Sequence, residues 1–346
     1  MENMNAGKRP GQLKIGLIGT GAIGRDHLRR IMDVIQGATV TAVADYNEAA
    51  ARGAAEPYGI EVFSSGEELI RSELVDAVII ASSDDSHARY TLKCISQRKH
   101  VLCEKPLATT VEDCIAILRQ EELAGQRFVQ VGFMRRYDRG YQRLKQIIDS
   151  GELGELLMIR SSHRNKTHAA NHTTDMTIKN SGIHELDIVR WLTGQEYQEG
   201  LALLTRQNQT TDPQIRDPQL ILTRSCNGVT SEVEVNMNSG YGYDIQCEII
   251  CEKGTARLAD PQEVVLRADG FHGHKVHSDW SARFVEAYDR EIQDWVDSVL
   301  KNQSSGASAW DGYAAQVAAQ TLIESRDSGR LVPFAMIDQP ELYNNQ

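Results

Sequence analysis

Three glycines follow the apolar run LKIGLI at a spacing that has a chemical use. Gly19, Gly21 and Gly24 spell G-x-G-x-x-G, and a helical pattern begins inside the motif. The first glycine permits a tight turn, the second lets backbone approach a pyrophosphate, and the third allows a helix to pack closely on a strand. The helix start, with Ala22 and Ile23, presents free N–H groups to the anion. These residues predict a dinucleotide site.

A carboxylate follows at the distance expected for a ribose ligand. Asp45 ends the next predicted strand, TVTAVAD, about 20 residues past the glycines. It can accept hydrogen bonds from ribose hydroxyls and would repel a 2′-phosphate, and Tyr46 follows it in place of an arginine. NAD is therefore predicted rather than NADP. The alternatives are that Asp45 only caps a turn, or that Arg52 assists an NADP phosphate.

A lysine follows another predicted strand, in the segment CEKP. Ligands of open α/β sheets bind outside the carboxyl ends of strands, so Glu104 and Lys105 are expected at the site. An ammonium group there can donate to a substrate oxygen and stabilise a developing alkoxide. An isolated Lys-Pro pair is more often part of a solvated loop, so Lys105 is weighed together with the next segment.

The segment NSGIHELDIVRWL, Asn180 to Leu192, has helical spacing. Asn180, His184 and Asp187 fall on one stripe, and mostly apolar residues cover the rest. A polar stripe in a buried helix has to meet polar partners or a ligand. A neutral imidazole is a suitable base for a hydroxyl proton near neutral pH. The alternative is a core histidine satisfied by Asp187.

The elements that must position these residues fall into two predicted domains. Over 12–133, five apolar runs alternate with helical segments, which is typical of a parallel sheet of βαβ units. Thr110 and Asp113 predict a helix start after Leu107. The predicted strands are LKIGLI, TVTAVAD, VDAVIIAS, KHVLCEK and RFVQVGF.

Over 134–346 the pattern changes to an alternation of polar and apolar residues. This alternation predicts a largely antiparallel sheet with one solvent-exposed face. TSEVEVNMNS alternates strictly, and CEIICEKGTARL indicates two strands joined at Lys253-Gly254. Two helices are expected at the end of the chain, and Gly329 is a stop signal for the second. Their predicted segments are RFVEAYDREIQDWVDSVL and AWDGYAAQVAAQTLIESR.

Composition excludes several classes of function. The 346 residues carry a formal net charge of -11 with no basic run, which disfavours nucleic acid as a partner. No stretch approaches the ~20 apolar residues that span a membrane, and the start MENMNAGKRPGQ lacks a signal-peptide core, so a cytoplasmic protein is expected. The six cysteines are expected to be reduced thiols. Zinc at Cys247 and Cys251 is the alternative to a strand, and no metal is predicted.

With these motifs in place, the chain resembles the Gfo/Idh/MocA oxidoreductases over nearly its whole length. The resemblance implies an N-terminal Rossmann domain and a C-terminal α/β domain with a large, mostly antiparallel open sheet. It also implies a homotetramer and NAD-dependent oxidation of a cyclitol ring hydroxyl, myo-inositol to scyllo-inosose. Another inositol isomer or a pyranose is the alternative substrate. The segments that carry the likeness include IGTGAIGRDH, CEKPLATT, VQVGFMRRYD, YGYDIQCEI and ARFVEAYDREIQDW.

The resemblance also implies roles for individual residues, with Lys105 and His184 as the catalytic lysine and histidine. One position departs from the family: its inositol enzymes usually place an aspartate four residues before the histidine, and here it is Asn180. Asparagine cannot carry charge, so Asp175 or Asp187 is a candidate relay partner, and a non-catalytic NAD-binding regulator is a further alternative. The positions implied around the cyclitol or nicotinamide are Met134, Arg135, His163, Asn165, Asn180, His184 and Tyr243.

Overall fold

A computed structural model describes residues 12–259 and 264–344. The chain start, where no signal peptide is expected, and parts of the predicted second domain at 260–263 and 345–346 lie outside the described residues. Among the helices of the described ranges, none combines the length and apolar character needed to cross a membrane.

The described chain forms two compact units. Unit 1 contains the described residues up to Gly132 and two later segments, Asp289–Gly312 and the stretch from Gln339 onward. Unit 2 contains Phe133–Tyr288 and Tyr313–Asp338. Each unit is therefore built from stretches that are distant in the sequence.

Unit 1 is organised around a six-stranded sheet in the order β3-β2-β1-β4-β5-β6, with every pair of neighbours parallel. The predicted parallel sheet is confirmed, and β3, a short edge strand, was not expected from the sequence. The order reverses direction between β1 and β4, which is where open α/β sheets bind ligands. The strands are β1 Leu13–Ile18, β2 Ala38–Ala44, β3 Glu61–Phe63, β4 Ala77–Ile80, β5 Val101–Cys103 and β6 Val129–Val131.

Helices connect these strands. The predicted helix start at Thr110 is confirmed, because the Thr110 hydroxyl oxygen accepts a hydrogen bond from the Asp113 backbone N–H at 3.1 Å. The helices are α1 Ala22–Asp33, α2 Glu48–Ala55, α3 Gly66–Arg71, α4 His87–Ser96 and α5 Val111–Ala124.

The remaining elements follow Gly132, and most belong to unit 2. Gly329 ends the last helix in a left-handed conformation, φ 65°, as predicted. The elements are α6 Arg139–Ser150, β7 Leu156–Arg164, α7 Ile183–Thr193, β8 Tyr197–Leu204, β9 Gln219–Ser225, β10 Thr230–Asn236, β11 Asp244–Cys251, β12 Gly254–Arg257, β13 Leu266–Ala268, β14 Phe271–Gly273, α8 Trp280–Arg283, α9 Val285–Val299, α10 Ala309–Ser328 and β15 Val332–Pro333.

Unit 2 contains a seven-stranded sheet in the order β12-β11-β7-β10-β9-β8-β15, in which only β7 and β10 are parallel. Residues of β10 alternate between buried and half-buried, as the sequence pattern predicts. The hairpin of β11 and β12 turns at Glu252 and Lys253, one residue earlier than expected, because Gly254 already pairs with Cys251.

The predicted helix from Asn180 to Leu192 differs from the structure at its start. Residues Thr177–Gly182 form a π-helical turn, and the α-helix begins at Ile183. A Cβ atom at position 182 would lie 3.3 Å from the Thr177 carbonyl oxygen, so glycine accommodates this close approach. Asn180 therefore belongs to the wide turn, a feature that is frequent at functional sites.

Part of the core of unit 1 comes from α9, far along the chain. Its apolar side chains pack with β1, β2 and α1 in one cluster, and Trp295 is 1% exposed. Because these contacts join the first strands to a late helix, the sheet of unit 1 depends on chain beyond residue 133 for its burial. The members from α9 are Ile292, Trp295, Val296 and Val299.

Replacing Trp295 with alanine tests this dependence. Removing a buried aromatic side chain leaves a cavity, so we expect Trp295→Ala to lower the free energy of unfolding by about 3–5 kcal/mol. Leu123→Ala, at a site 83% exposed on α5, is the control and should change it by less than about 0.5 kcal/mol. The measurement is urea unfolding followed by far-UV circular dichroism. Equal midpoints for the two variants would contradict the packing role of α9.

Candidate active site

The glycine-rich turn lies where the strand order of unit 1 reverses. Gly19 follows β1 with φ +96°, and a Cβ atom there would lie 2.4 Å from the backbone of Ala81, just after β4. A non-glycine residue would be strained by this φ and would clash with the neighbouring strand. The turn can therefore approach β4 only because Gly19 has no side chain.

The other two glycines have different surroundings. A Cβ atom at Gly24 would lie 2.0 Å from the Gly19 carbonyl oxygen, so this glycine is required by the packing of α1 on the turn. A Cβ atom at Gly21 would meet nothing within 4 Å. Gly21 caps α1 without a side-chain hydrogen bond, and Ala22 and Ile23 follow in the first turn. The open space beside Gly21 and the N–H groups of this turn fit a pyrophosphate.

Asp45, directly after β2, holds the glycine-rich turn. Its Oδ2 atom accepts hydrogen bonds from the Thr20 backbone N–H at 2.6 Å and the Thr20 hydroxyl at 2.9 Å. Its Oδ1 atom accepts from the Asn47 N–H at 2.8 Å. A carboxylate has about four lone-pair positions, so capacity for a ribose hydroxyl remains. Arg52, considered above for an NADP phosphate, forms an exposed ion pair with Glu48.

Glu104 and Lys105 follow β5 in unit 1. Glu104 is buried, and its Oε1 atom accepts a hydrogen bond from His27 Nε2 of α1 at 2.7 Å. Burial opposes ionisation of this carboxyl, but the hydrogen bond and charge of His27 and the charge of Lys105 outweigh burial and lower the pKa of Glu104. An ionised carboxylate is thus anchored to α1 next to the half-buried Lys105.

In unit 2 a buried carboxylate joins two residues that the resemblance places near the substrate. Glu185 is 0% exposed and pairs with the guanidinium of Arg135. Its Oε2 atom lies 2.8 Å from His163 Nδ1, and Arg135 Nη2 lies 3.1 Å from the same ring nitrogen. Burial opposes ionisation of Glu185, but the charge of Arg135 and the hydrogen bond from His163 lower its pKa. His163 Nδ1 therefore carries the proton and donates to Glu185.

Two further rings surround His163. The ring centroid of His184 lies 6.4 Å away, and that of Tyr243 lies 5.8 Å away in a T-shaped arrangement. His184 also has an edge contact with Phe133 at 6.4 Å. Burial raises the pKa of the Tyr243 hydroxyl, so it stays protonated and able to donate. The structure thus brings together His163, His184, Tyr243 and Arg135 from four parts of the sequence.

The other residues expected at the site lie in unit 2 as well. Met134 is buried at the start of a short helix before α6, and Asn180 is half-buried in the π-helical turn. Asn165 directly follows β7, and its backbone N–H donates to the Asn236 carbonyl at 2.8 Å. The Asn165 Oδ1 atom is buried and has no hydrogen-bond partner within the described chain. Such an acceptor suits a ligand that carries a hydroxyl donor.

The two candidate relay carboxylates from the sequence are both paired with arginines. Asp187 Oδ2 accepts from Arg136 Nε at 3.0 Å, and Asp175 lies 2.6 Å from Arg326. The carboxylate beside the histidines is Glu185, which the sequence reading did not single out. An acidic residue in an otherwise apolar, buried helix was the available signal, because a buried charge requires a partner.

The cysteines considered for zinc lie within a strand. Cys247 and Cys251 are buried on β11, whose residues alternate in burial, so the strand interpretation is confirmed. In residues 12–259 and 264–344, no cluster of three or more His, Cys, Asp or Glu side chains could hold a metal ion.

Family models match both parts of the chain. Residues 13–133 match the NAD-binding Rossmann fold of the Gfo/Idh/MocA oxidoreductase family, and residues 145–334 match the C-terminal alpha/beta domain of that family. The chain therefore belongs to the Gfo/Idh/MocA family of NAD-binding oxidoreductases.

Within this family, the chain is similar to several inositol dehydrogenases. An inositol 2-dehydrogenase of Klebsiella pneumoniae is 44% identical over 96% of this chain and 99% of its own length. The crystal structure of myo-inositol dehydrogenase from Lactobacillus casei, in complex with NAD(H) and myo-inositol, matches with a TM-score of 0.93 and 34% identity over 96% of this chain and 99% of that one. The scyllo-inositol dehydrogenase of the same organism matches with a TM-score of 0.86 and 26% identity, over 94% of this chain and 100% of that one.

The two glycines of the turn should respond differently to substitution. Gly24→Ala forces the new Cβ atom against the Gly19 carbonyl oxygen, so we expect a loss of about 1–3 kcal/mol in unfolding free energy. Gly21→Ala has space and should cost less than about 1 kcal/mol, yet weaken NAD binding at least about tenfold by blocking the approach of the pyrophosphate. Thermal unfolding of the free protein and calorimetric titration with NAD measure the two effects. Wild-type NAD affinity in Gly21→Ala would contradict this placement.

Proposed function

We propose that this chain oxidises a ring hydroxyl of a cyclitol with NAD, and that the substrate is myo-inositol and the product scyllo-inosose. The observation that carries the proposal is the buried group of Arg135, Glu185 and His163 beside His184 in unit 2. Such a set of oriented donors and acceptors suits a ligand with several hydroxyls. The names and bound ligands of the similar dehydrogenases support the same substrate class.

NAD is held by unit 1 in this proposal. The open backbone at Gly21 takes the pyrophosphate, and the Asp45 carboxylate takes the adenosine ribose. When bound, NAD supplies the hydride acceptor. The residues proposed to contact it are Gly19, Gly21, Ala22, Ile23, Gly24, Asp45, Glu104 and Lys105.

Three residues carry the proposed proton chemistry. His184 accepts the hydroxyl proton, Lys105 donates a hydrogen bond to the same oxygen, and the carbon loses its hydride to the nicotinamide. Asn180 orients the reacting group by hydrogen bonding, without the charge that an aspartate would add.

Hydroxyls away from the reacting carbon would bind the other polar groups of unit 2. His163 keeps its proton on Nδ1, which leaves Nε2 as an acceptor for a substrate O–H. Asn165 Oδ1 is a second buried acceptor, while Arg135 and Tyr243 are donors. Met134 would contribute an apolar surface for the ring carbons. Inositol isomers differ only in which hydroxyls are axial, and a pyranose presents a similar array of hydroxyls, so either is the alternative substrate.

The roles of the two domains, the oligomeric state and the localisation also belong to this proposal. We assign residues 12–133 to NAD binding and 134–346 to substrate binding and oligomerisation, in a cytoplasmic homotetramer. Every second residue of β10 is half-buried, so the large sheet has a face available to a second copy of the chain. The absence of basic runs in a chain of net charge -11 supports a small-molecule substrate over nucleic acid.

The direct test is formation of NADH with a panel of inositol isomers and pyranoses, each assayed with NAD and with NADP. We expect the highest kcat/KM with myo-inositol and NAD. Lys105→Ala should lower kcat at least about 100-fold, because it removes a donor to the developing alkoxide. Lys253→Ala, at the exposed turn of β11 and β12, is the control and should retain wild-type activity. Tight NAD binding without turnover of any polyol would favour a regulator.

The charge at position 180 should set the acid limb of the pH profile. In Asn180→Asp, the added carboxylate favours the imidazolium form, so the kinetic pKa of the base should rise by about one unit and the acid limb should move to higher pH. Asn227→Asp, in the exposed turn between β9 and β10, is the matched control and should leave the profile unchanged. The measurement is kcat/KM against pH. An unchanged limb in Asn180→Asp would show that this position does not face the base.

A further inference from the structure

His87 is a buried histidine outside the residues assigned above. It is the first residue of α4 and is 1% exposed. Its Nδ1 atom lies 2.7 Å from the Pro106 carbonyl oxygen, and its Nε2 atom lies 3.1 Å from the Ser82 carbonyl oxygen. Both ring nitrogens are thus within hydrogen-bond distance of atoms that only accept.

These two contacts favour the doubly protonated form of the ring. A neutral imidazole has a single N–H group, so one nitrogen would face a carbonyl oxygen with its lone pair. The imidazolium form has two N–H groups and satisfies both acceptors. Because the ring has almost no contact with water, an unsatisfied contact would cost a substantial part of a buried hydrogen bond.

The remaining neighbours of His87 also favour the charged form. Burial alone would lower its pKa, but the Cys103 sulfur, the Pro106 carbonyl and the Asp84 carboxylate raise it to about 10. Glu104, ionised by its bond to His27, is a further charged group whose pKa is lowered in part by His87. The charged form is therefore favoured by two backbone carbonyl oxygens and by the carboxylates of Asp84 and Glu104.

The two carbonyls belong to adjacent turns at one edge of the sheet. Ser82 follows β4, and Pro106 directly follows Lys105 in the turn after β5. Strands β4 and β5 are neighbours, with Ile80 paired to Cys103. A cation that bonds to both carbonyls ties these turns together at the edge where ligands of this fold bind.

We propose that His87 is a positioning residue, a buried imidazolium that joins the carbonyls of Ser82 and Pro106 and so holds the turn that presents Lys105. The bond to Pro106 restrains the backbone one residue after Lys105, and the bond to Ser82 ties that turn to the segment after β4. The effect on catalysis rests on the proposed function, in which Lys105 contacts the reacting oxygen. The charge state of His87 does not depend on that function.

The charge state is tested by NMR of the full chain labelled with ¹⁵N in its histidine rings. The His87 signals are assigned by their loss in His87→Gln. We expect both ring nitrogens to be protonated from pH 7 to pH 8.5, the pattern of an imidazolium. A neutral tautomer at pH 7 would overturn the proposal, and this holds whether or not the protein oxidises polyols.

The positioning role is tested with a double-mutant cycle. His87→Phe removes both hydrogen bonds and should lower kcat at least about tenfold, with a smaller loss in His87→Gln, which keeps one donor. In a Lys105→Ala background the same substitution should change the residual kcat less than about twofold. His272→Gln, on the exposed strand β14, is the control. Equal losses with and without Lys105 would mean that His87 does not act through it.

A readout without turnover keeps the positioning role testable if no polyol is oxidised. Reductive ¹³C-methylation of the lysines gives a signal for Lys105, assigned by its loss in Lys105→Ala. We expect this signal to shift in His87→Gln and to stay in place in His272→Gln. An unmoved Lys105 signal in His87→Gln would contradict the link between the two residues.

Discussion

A carboxylate that is completely removed from water has to be balanced inside the protein, and Glu185 is such a group. Its pairing with Arg135 places one charge on α7 and the opposite one in the segment before α6. Removing either partner would leave a buried charge uncompensated, at a cost of about 3–5 kcal/mol. Met134 and His184 are the chain neighbours of this pair, so the ion pair also fixes where their side chains begin.

The same constraint operates in unit 1. Glu104 is buried beside His27 of α1, and its chain neighbour Lys105 is the residue assigned to the substrate oxygen. His87, the first residue of α4, is a second buried polar group, and it contacts the turn after β5. In both units a candidate functional side chain is the direct chain neighbour of a buried, hydrogen-bonded one. Rigid anchoring of this kind is what a hydride transfer requires of the protein, because small displacements reduce the rate strongly.

The strands of unit 1 were predictable because strands buried on both faces are continuous apolar runs. β3 was missed because it is an edge strand of three residues, too short to show a pattern in the sequence. The hairpin of β11 and β12 was found but placed one residue late, since its register depends on the pairing of Cys251 with Gly254. The helix of His184 was found, but its π-helical start was not, because a helical wheel assumes a constant number of residues per turn.

The sequence by itself determined the cofactor motif, the alternation of strands and helices, and the residue types available for proton transfer, because each of these depends on spacing within a short stretch. Only the tertiary structure decided which buried polar groups meet. Glu185 pairs with Arg135 and His163, and Asp187 pairs with Arg136. His87 contacts two backbone carbonyls. Such partners come from separate elements, and local patterns carry no information about which buried charge faces which. Tertiary packing also brought α9 into the core of unit 1, since an amphipathic helix can bury its apolar face against any sheet of suitable shape.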